Sequence, residues 1–347
     1  MAISSRGQKV RGVQAPRQPA VAVDHGLAYE ALIGLALFIG GEADSTYEMG
    51  EAWLKALRRK GSPQLRSAGR ELMGREGYGV VGLTGLVHAA GGKRTVAELV
   101  ARLRKDRSDE TRRALLHCEP QDADAILRGE PAATKKFLDH LPQHARDLGR
   151  RVIATDGRAL ATDLADLLEL WNREIFAELG PTLEADLDAS ALAASRLSRQ
   201  LPPDRFIVRM TRGVEYRPEP WIDTVVLVPS VLNRPWVDIT EYKGTKFFLY
   251  PASAGTVSPD VELVEVYKAL GDETRLRILR LMSEGVGSLT ELAEKLGLAK
   301  STIHGHLVIL RMAGLTRSVV GGEGKGYVLN DRPDLNSLLD AYLKTRR

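Results

Sequence analysis

Residues Ser288–Leu315 read SLTELAEKLGLAKSTIHGHLVILRMAGL, and their spacing predicts two short helices joined by a tight turn. Ser288 and Glu291 form a Ser-x-x-Glu pattern, in which the hydroxyl is expected to accept from a backbone N–H while the carboxylate reaches back to the cap. Leu289, Leu292, Ala293 and Leu296 recur at helical spacing. Gly297 ends the first helix, because glycine takes the left-handed conformation at little cost. A second apolar row, Ile303, Leu307 and Leu310, follows, and Gly314 closes it. Helix, glycine-containing turn and helix make up the helix-turn-helix arrangement, whose second helix enters the major groove of DNA.

The flanks extend the pattern. Leu270–Met282 is a further amphipathic helix with its entry turn. Thr316–Val320 and Gly326–Leu329 are two short apolar strands around a glycine-rich tip, Gly321–Lys325, which is the hairpin of a winged helix. Pro333 fits the first turn of a last helix, Asp334–Lys344.

Four collinear segments, LGDETRLRIL (270–279), ELAEKLGL (291–298), KSTIHGHLVIL (300–310) and RMAGL (311–315), resemble the ArsR/SmtB family of winged helix-turn-helix repressors. The resemblance covers about a quarter of the chain. It implies a homodimer that binds operator DNA and leaves it on receiving a signal, with dimer contacts from the helices that flank the winged helix, Val261–Leu270 and Leu335–Leu343.

Over 347 residues, two domains and a sizeable core are expected. The single cysteine, Cys118, cannot pair within the chain, which points to a reducing, cytoplasmic compartment. No apolar run approaches the ~20 residues of a membrane helix, and no secretory signal is legible. The net charge is +4, concentrated at the ends: residues 1–20 hold Arg6, Lys9, Arg11 and Arg17 with no acid, and residues 261–347 hold 13 basic against 11 acidic residues. Rich in Pro, Gly, Arg and Gln, residues 1–20 read as a disordered basic arm, either a solvated tail or an auxiliary contact to phosphate.

Residues 21–200 read as a helical domain. Leu27–Ile39 is apolar on several sides, Ser62-Pro63 starts a helix with a cap and a first-position proline, and Thr95–Glu98 is a second capping box opening Val96–Arg104. Leu160–Leu179 reads as one long helix, and Pro181 opens another. After Leu201-Pro202-Pro203 the runs Phe206–Met210, Ile222–Val228, Trp236–Thr240 and Lys246–Tyr250 are β-branched and aromatic, and read as a small antiparallel sheet within residues 201–258. Residues 259–347 form the winged helix-turn-helix. The fold class is therefore α+β, mostly α. This layout, with Leu227–Val231 and Leu249–Ala252 ahead of the winged helix, resembles the long ArsR-type regulators common in actinobacteria and related bacteria, a group that generally has no established effector.

Turning the Ile303/Leu307/Leu310 row inward puts Ser301, Gly305, Val308 and Met312 outward, with Thr302 and His304 on the flanks and His306 nearer the buried row. Thr290, Lys300, Ser301, Thr302, His304, Gly305, His306, Arg311 and the wing's Lys325 are the candidate DNA-contacting residues. Ser301 and Thr302 stand at a helix N-terminus, where phosphate or a base edge is favoured. Gly305 costs ~1 kcal/mol relative to Ala, offset where the backbone must approach DNA closely. Departures from the family's pattern are Ala299 in place of a Ser or Thr cap, Gly305 in place of a polar residue, and one wing cation, Lys325. They imply a shallow dependence of affinity on salt.

Metal sensing by the relatives' thiol site needs cysteines on Ser288–Leu296, and there are none; their C-terminal site needs His on Asp334–Lys344, and there is none. His140 and His144 are separated by Pro142, which breaks the helix that would align them. No nucleophile elbow, phosphate-cradling loop or metalloprotease motif is present. No cofactor, metal site or catalytic residue is expected. The expected function is a homodimeric, DNA-binding regulator, a repressor by family, with an N-terminal region that dimerises or senses an unidentified small-molecule effector. Trp221, Trp236 and Tyr250 are candidate effector-lining residues, with aromatic core as the competing role. The alternatives are a winged helix used for protein contacts and a ligand-binding or enzymatic N-terminal domain.

Overall fold

The computed structural model describes residues 18–40, 46–74, 77, 79–116, 118, 120–253, 259–322, 326–330 and 335–344. Residues 1–17 of the expected basic arm, linker residues 254–258 and the wing tip 323–325 lie outside them. After strand β1 (Ala20–Val23) come helices α1 (Leu27–Ile39), α2 (Glu51–Lys60), α3 (Pro63–Met73), α4 (Thr84–Ala90), α5 (Val96–Arg104), α6 (Glu110–Leu116), α7 (Pro120–Leu127), α8 (Pro131–His140), α9 (Arg146–Ala154), α10 (Gly157–Trp171), α11 (Ala177–Leu179), α12 (Pro181–Leu197) and α13 (Pro203–Met210). Strands β2 (Val214–Tyr216), β3 (Thr224–Ser230), β4 (Asp238–Tyr242) and β5 (Thr245–Pro251) follow. The C-terminal part holds α14 (Pro259–Leu270), α15 (Glu273–Ser283), α16 (Leu289–Leu296), α17 (Lys300–Met312), β6 (Thr316–Val320), β7 (Gly326–Leu329) and α18 (Leu335–Lys344).

Local signals set several of these boundaries. Ser62 Oγ accepts from Leu65 N–H at 3.0 Å and Pro63 opens α3. Thr95 and Glu98 close a reciprocal capping box on α5. The expected helix Leu160–Leu179 is instead interrupted by a π-helical turn at Asn172–Phe176 between α10 and α11. Helix α9, polar and arginine-rich, was not expected.

The sheet corrects the antiparallel expectation. Its order is β1-β3-β5-β4, with β1 parallel to β3, β3 parallel to β5, and only edge strand β4 antiparallel to β5. The physical reason lies on the faces. Val226, Val228, Phe247 and Leu249 join the main helical core. Val225, Leu227, Phe248 and Tyr250 form a second core with Phe206 and Ile207 of α13 and Tyr216 of β2. A sheet covered on both faces reads as continuous apolar runs and accommodates parallel strands. Ala20, assigned to the arm, is the first residue of β1 and pairs with Thr224. The β4–β5 hairpin turns at Lys243-Gly244, both with positive φ, as a tight two-residue turn of primed type demands.

Phe206–Met210 is a second correction, since it lies in helix α13 and not in a strand. Pro202-Pro203 starts the helix, and Phe206, Ile207 and Met210 fall on one helical face.

Two polar ties join helices to sheet. Glu30 of α1, with no exposed surface, accepts from Val231 N–H at 3.2 Å and Leu232 N–H at 3.0 Å just past β3. Asp24, at the end of β1, accepts from Tyr29 Oη (2.8 Å) and Arg94 Nε (3.0 Å), and lies 2.6 Å from His88 Nδ1. Burial alone would raise the Asp24 carboxyl, but the bonds from His88, Tyr29 and Arg94 outweigh it and hold it at about 2.

Candidate nucleic-acid interface

The C-terminal core is built from Ile278 of α15, Leu292 of α16 and Ile303, Leu307 and Leu310 of α17. Asp272 caps α15, accepting from Arg275 N–H at 2.9 Å. Gly297 ends α16 in the left-handed conformation, with Leu298 N–H returning to the Ala293 carbonyl at 3.1 Å. Helix α17 starts after Ala299, which offers no side-chain cap. Ser288 holds the N-cap position of α16, but its hydroxyl makes no capping bond, so the expected capping box is not formed.

The wing strands pair antiparallel, with Ser318 opposite Tyr327. On one side Gly287 accepts from Tyr327 N–H at 2.8 Å. On the other, β2 runs parallel to β6, with Val214, Glu215 and Tyr216 opposite Ser318, Val319 and Val320. The wing therefore belongs to a three-stranded sheet whose outer strand comes from the region ahead of the winged helix.

Helix α17 has three faces. Ile303, Leu307 and Leu310 are sealed in the core. The opposite arc carries Ser301, Thr302 and Ile309, all exposed, and Gly305, where an added Cβ would meet nothing within 4 Å. Thr290 on α16 and Lys300 are exposed beside it. The third face is docked on the N-terminal region. Val308 is buried, against the expectation that it faces outward. His304 keeps an exposed surface at the edge of this face, with its ring 5.1 Å from that of Trp236, centroid to centroid.

Arg311, expected at the DNA surface, is 4% exposed and donates to the carbonyls of Thr211, Arg212 (3.0 Å) and Pro235 (3.4 Å). Burial pushes its guanidinium down to about 10, so it stays charged at neutral pH. Arg212 reciprocates, pairing with Glu265 of α14 and donating to the Met312 carbonyl at 2.9 Å. These partners lie 53 to 100 residues apart in the chain, so no local sequence pattern revealed them. The only local sign is the backbone at Arg212-Gly213, both with positive φ.

Both helix histidines are disfavoured as cations. His304 is pushed down by burial and then by the Arg311 charge. His306, half-buried, is pushed down by burial against the opposing pull of Asp272, 3.9 Å away. Lys325 lies outside the described residues. The three candidate effector aromatics do not converge. Tyr250 is sealed in the core beside Ser190, Trp221 is 41% exposed, and Trp236 donates to Thr46 Oγ1 at 3.2 Å while packing on His304. Their spacing placed them near one sheet, but the loop before β3, the loop between β3 and β4, and β5 carry the three rings to separate environments.

Among the described residues no group of three or more His, Cys, Asp or Glu side chains could hold a metal ion, and no helix is long and apolar enough to cross a membrane. The family model for bacterial regulatory proteins of the arsR family matches residues 272–318. The HTH-type transcriptional regulator KmtR of Mycobacterium tuberculosis is 32% identical over 96 residues, covering 27% of this chain and 74% of the relative. CmtR of Mycobacterium bovis is 39% identical over 69 residues, 20% of this chain and 58% of the relative. An uncharacterized HTH-type regulator of Methanocaldococcus jannaschii is 37% identical over 68 residues, 19% and 76% respectively. No solved structure matches. With three quarters of two relatives covered at more than 30% identity, and the matched segment folded as a helix-turn-helix with its wing, the chain belongs to the arsR family of bacterial regulatory proteins.

Proposed function

We propose that the chain is a DNA-binding transcriptional repressor that acts as a homodimer and carries its sensing region ahead of the winged helix. The observation that supports this best is the open arc of α17. Ser301 and Thr302 at the helix N-terminus, Gly305 at its middle and Ile309 one turn on face away from the core and from the N-terminal region. A helix presented in this way fits the major groove, with hydroxyls and backbone N–H groups toward phosphate and Ile309 available to a thymine methyl. Thr290 and Lys300 flank the arc as backbone contacts. Arg311 serves instead to fix the helix.

Two-fold related recognition helices need half-sites about one helical turn apart. Helices α14 and α18 pack together and leave Val264, Tyr267, Leu339 and Leu343 as exposed apolar side chains, which a second copy would cover. One core spans helices and sheet, so residues 18–253 are read as a single sensing unit instead of separate 21–200 and 201–258 domains.

Binding to the DNA upstream of the protein's own coding region, followed over a salt series, tests the reading. Tight binding by the wild type, reduced at least about tenfold in Ser301→Glu, is the expected result. Ile309, exposed at 41%, is what favours a protein-contact use of the same helix. Absence of binding to that fragment and to random genomic DNA alike would decide for that use.

A further inference from the structure

A cleft of ≈520 Å³ separates the sheet's edge from the wing. Ile239 and Glu241 of β4, Lys246 of β5 and Glu219 of the loop after β2 line one wall; Leu289 of α16 and Tyr327 of β7 stand on the other. Its volume is within the range of small-molecule sites. It also lies where an occupant would touch the sensing unit and the wing at once.

The charges in it are unequal. Glu219 and Lys246 are buried and pair directly, and the Tyr216 hydroxyl donates to Glu219 at 3.3 Å. Glu241 Oε2 lies 3.1 Å from the same ammonium. The Glu241 side chain keeps 22% of its surface exposed. Among the described residues, two carboxylates against one ammonium leave the lining negative, which repels nucleic-acid phosphate and separates this cleft from the DNA-facing arc. The rest of the described lining is apolar or hydroxylic. Ile239, Leu289 and the Tyr327 ring offer apolar cover, and an aromatic face attracts a cation. The Ser288 hydroxyl, which makes no capping bond, also lines the cleft.

We propose that this cleft binds a small organic ammonium ion with an apolar body, its charge held by Glu241 and its body by Ile239, Leu289 and Tyr327. That its occupancy changes DNA affinity rests on the regulator reading above.

The test is calorimetric titration of the full chain, without DNA, with benzylamine and isopentylamine. Benzyl alcohol and benzoate serve as the same body without charge and with the opposite charge. The expected result is millimolar or tighter binding of an amine, at least about tenfold tighter than either comparator, and a loss of about tenfold in Glu241→Gln. Glu241→Asp, which keeps the charge, is expected to retain part of the binding, and thermal melting of both variants checks that they fold. Failure of both amines to bind, equal binding of the three benzyl probes, or undiminished binding in Glu241→Gln overturns the proposal. The amine titration contains no DNA, so its failure leaves the regulator reading intact. Conversely, absence of DNA binding by the ligand-free protein sinks that reading and leaves the site standing.

Discussion

Gly305 and Arg311 sit on the same helix six residues apart and have opposite relations to their surroundings. A Cβ at Gly305 would enter open space. Gly305→Ala is therefore expected to raise stability by about 0.5–1 kcal/mol in urea unfolding, through helix propensity alone. If the bare backbone approaches DNA, the same substitution weakens operator binding while the fold gains. Arg311 is the reverse case, a buried cation shared among three carbonyls. Arg311→Met fills the space but leaves those carbonyls without their donor, and is expected to cost about 2–3 kcal/mol in the same experiment. The sequence displays Arg311 as a cation at the end of a recognition helix and nothing more. Its destination depends on Thr211, Arg212 and Pro235, which only the tertiary fold brings within reach. Ser301, Thr302 and Lys300, by contrast, are exposed where helical spacing alone places them.

At the scale of elements, legibility followed periodicity. Helix α1 spans the apolar run that predicts it, and α5 begins at its predicted capping box and ends at Arg104 as expected. The run RFIVRM in α13 is too short for its period to separate helix from strand, and its β-branched pair favoured the wrong reading. Strand direction is a harder matter, because it depends on whether a sheet is covered on one face or two, and the covering helices lie far away in the chain. Strand β2 is three residues long and has no sequence mark of its own, yet it borders the wing. Arg217 N–H donates to the Val320 carbonyl at 2.8 Å at the end of that pairing. Arg217→Pro removes the donor and is expected to speed amide exchange at Ser318 and Val320 by about tenfold or more, with the Ile303 and Leu307 amides unchanged. Equal acceleration along α17 would mean that wing and helix open as one unit.

For the molecule as a whole, Glu30 connects stability to pH. Burial raises its carboxyl to about 7 from 4.5, opposed by the bonds from Ser230, Leu232 and Val231. A carboxyl raised on folding stabilises fully below its unfolded value, so this contribution is lost as pH climbs from about 4.5 through about 7. The wild type is expected to lose melting temperature over that interval, and Glu30→Gln to flatten the loss. Asp24, held at about 2, acts at the other end, its contribution disappearing as pH falls from about 4 toward 2. Assembly is tested by sedimentation. A dimer at micromolar concentration that Tyr267→Glu with Leu343→Glu converts to monomer would assign the contact to α14 and α18.

The loan of β2 to the wing has a further consequence. The relatives match this chain over fewer than a hundred residues, yet here the corresponding module is not a detachable cassette. Cut free, it would carry a bare outer edge on β6 and a guanidinium stripped of its carbonyls. Such an edge recruits whatever strand it meets. The winged helix therefore draws its outer strand and the carbonyls around Arg311 from the segment around β2 and Arg212, and a transplant of it would have to include that segment.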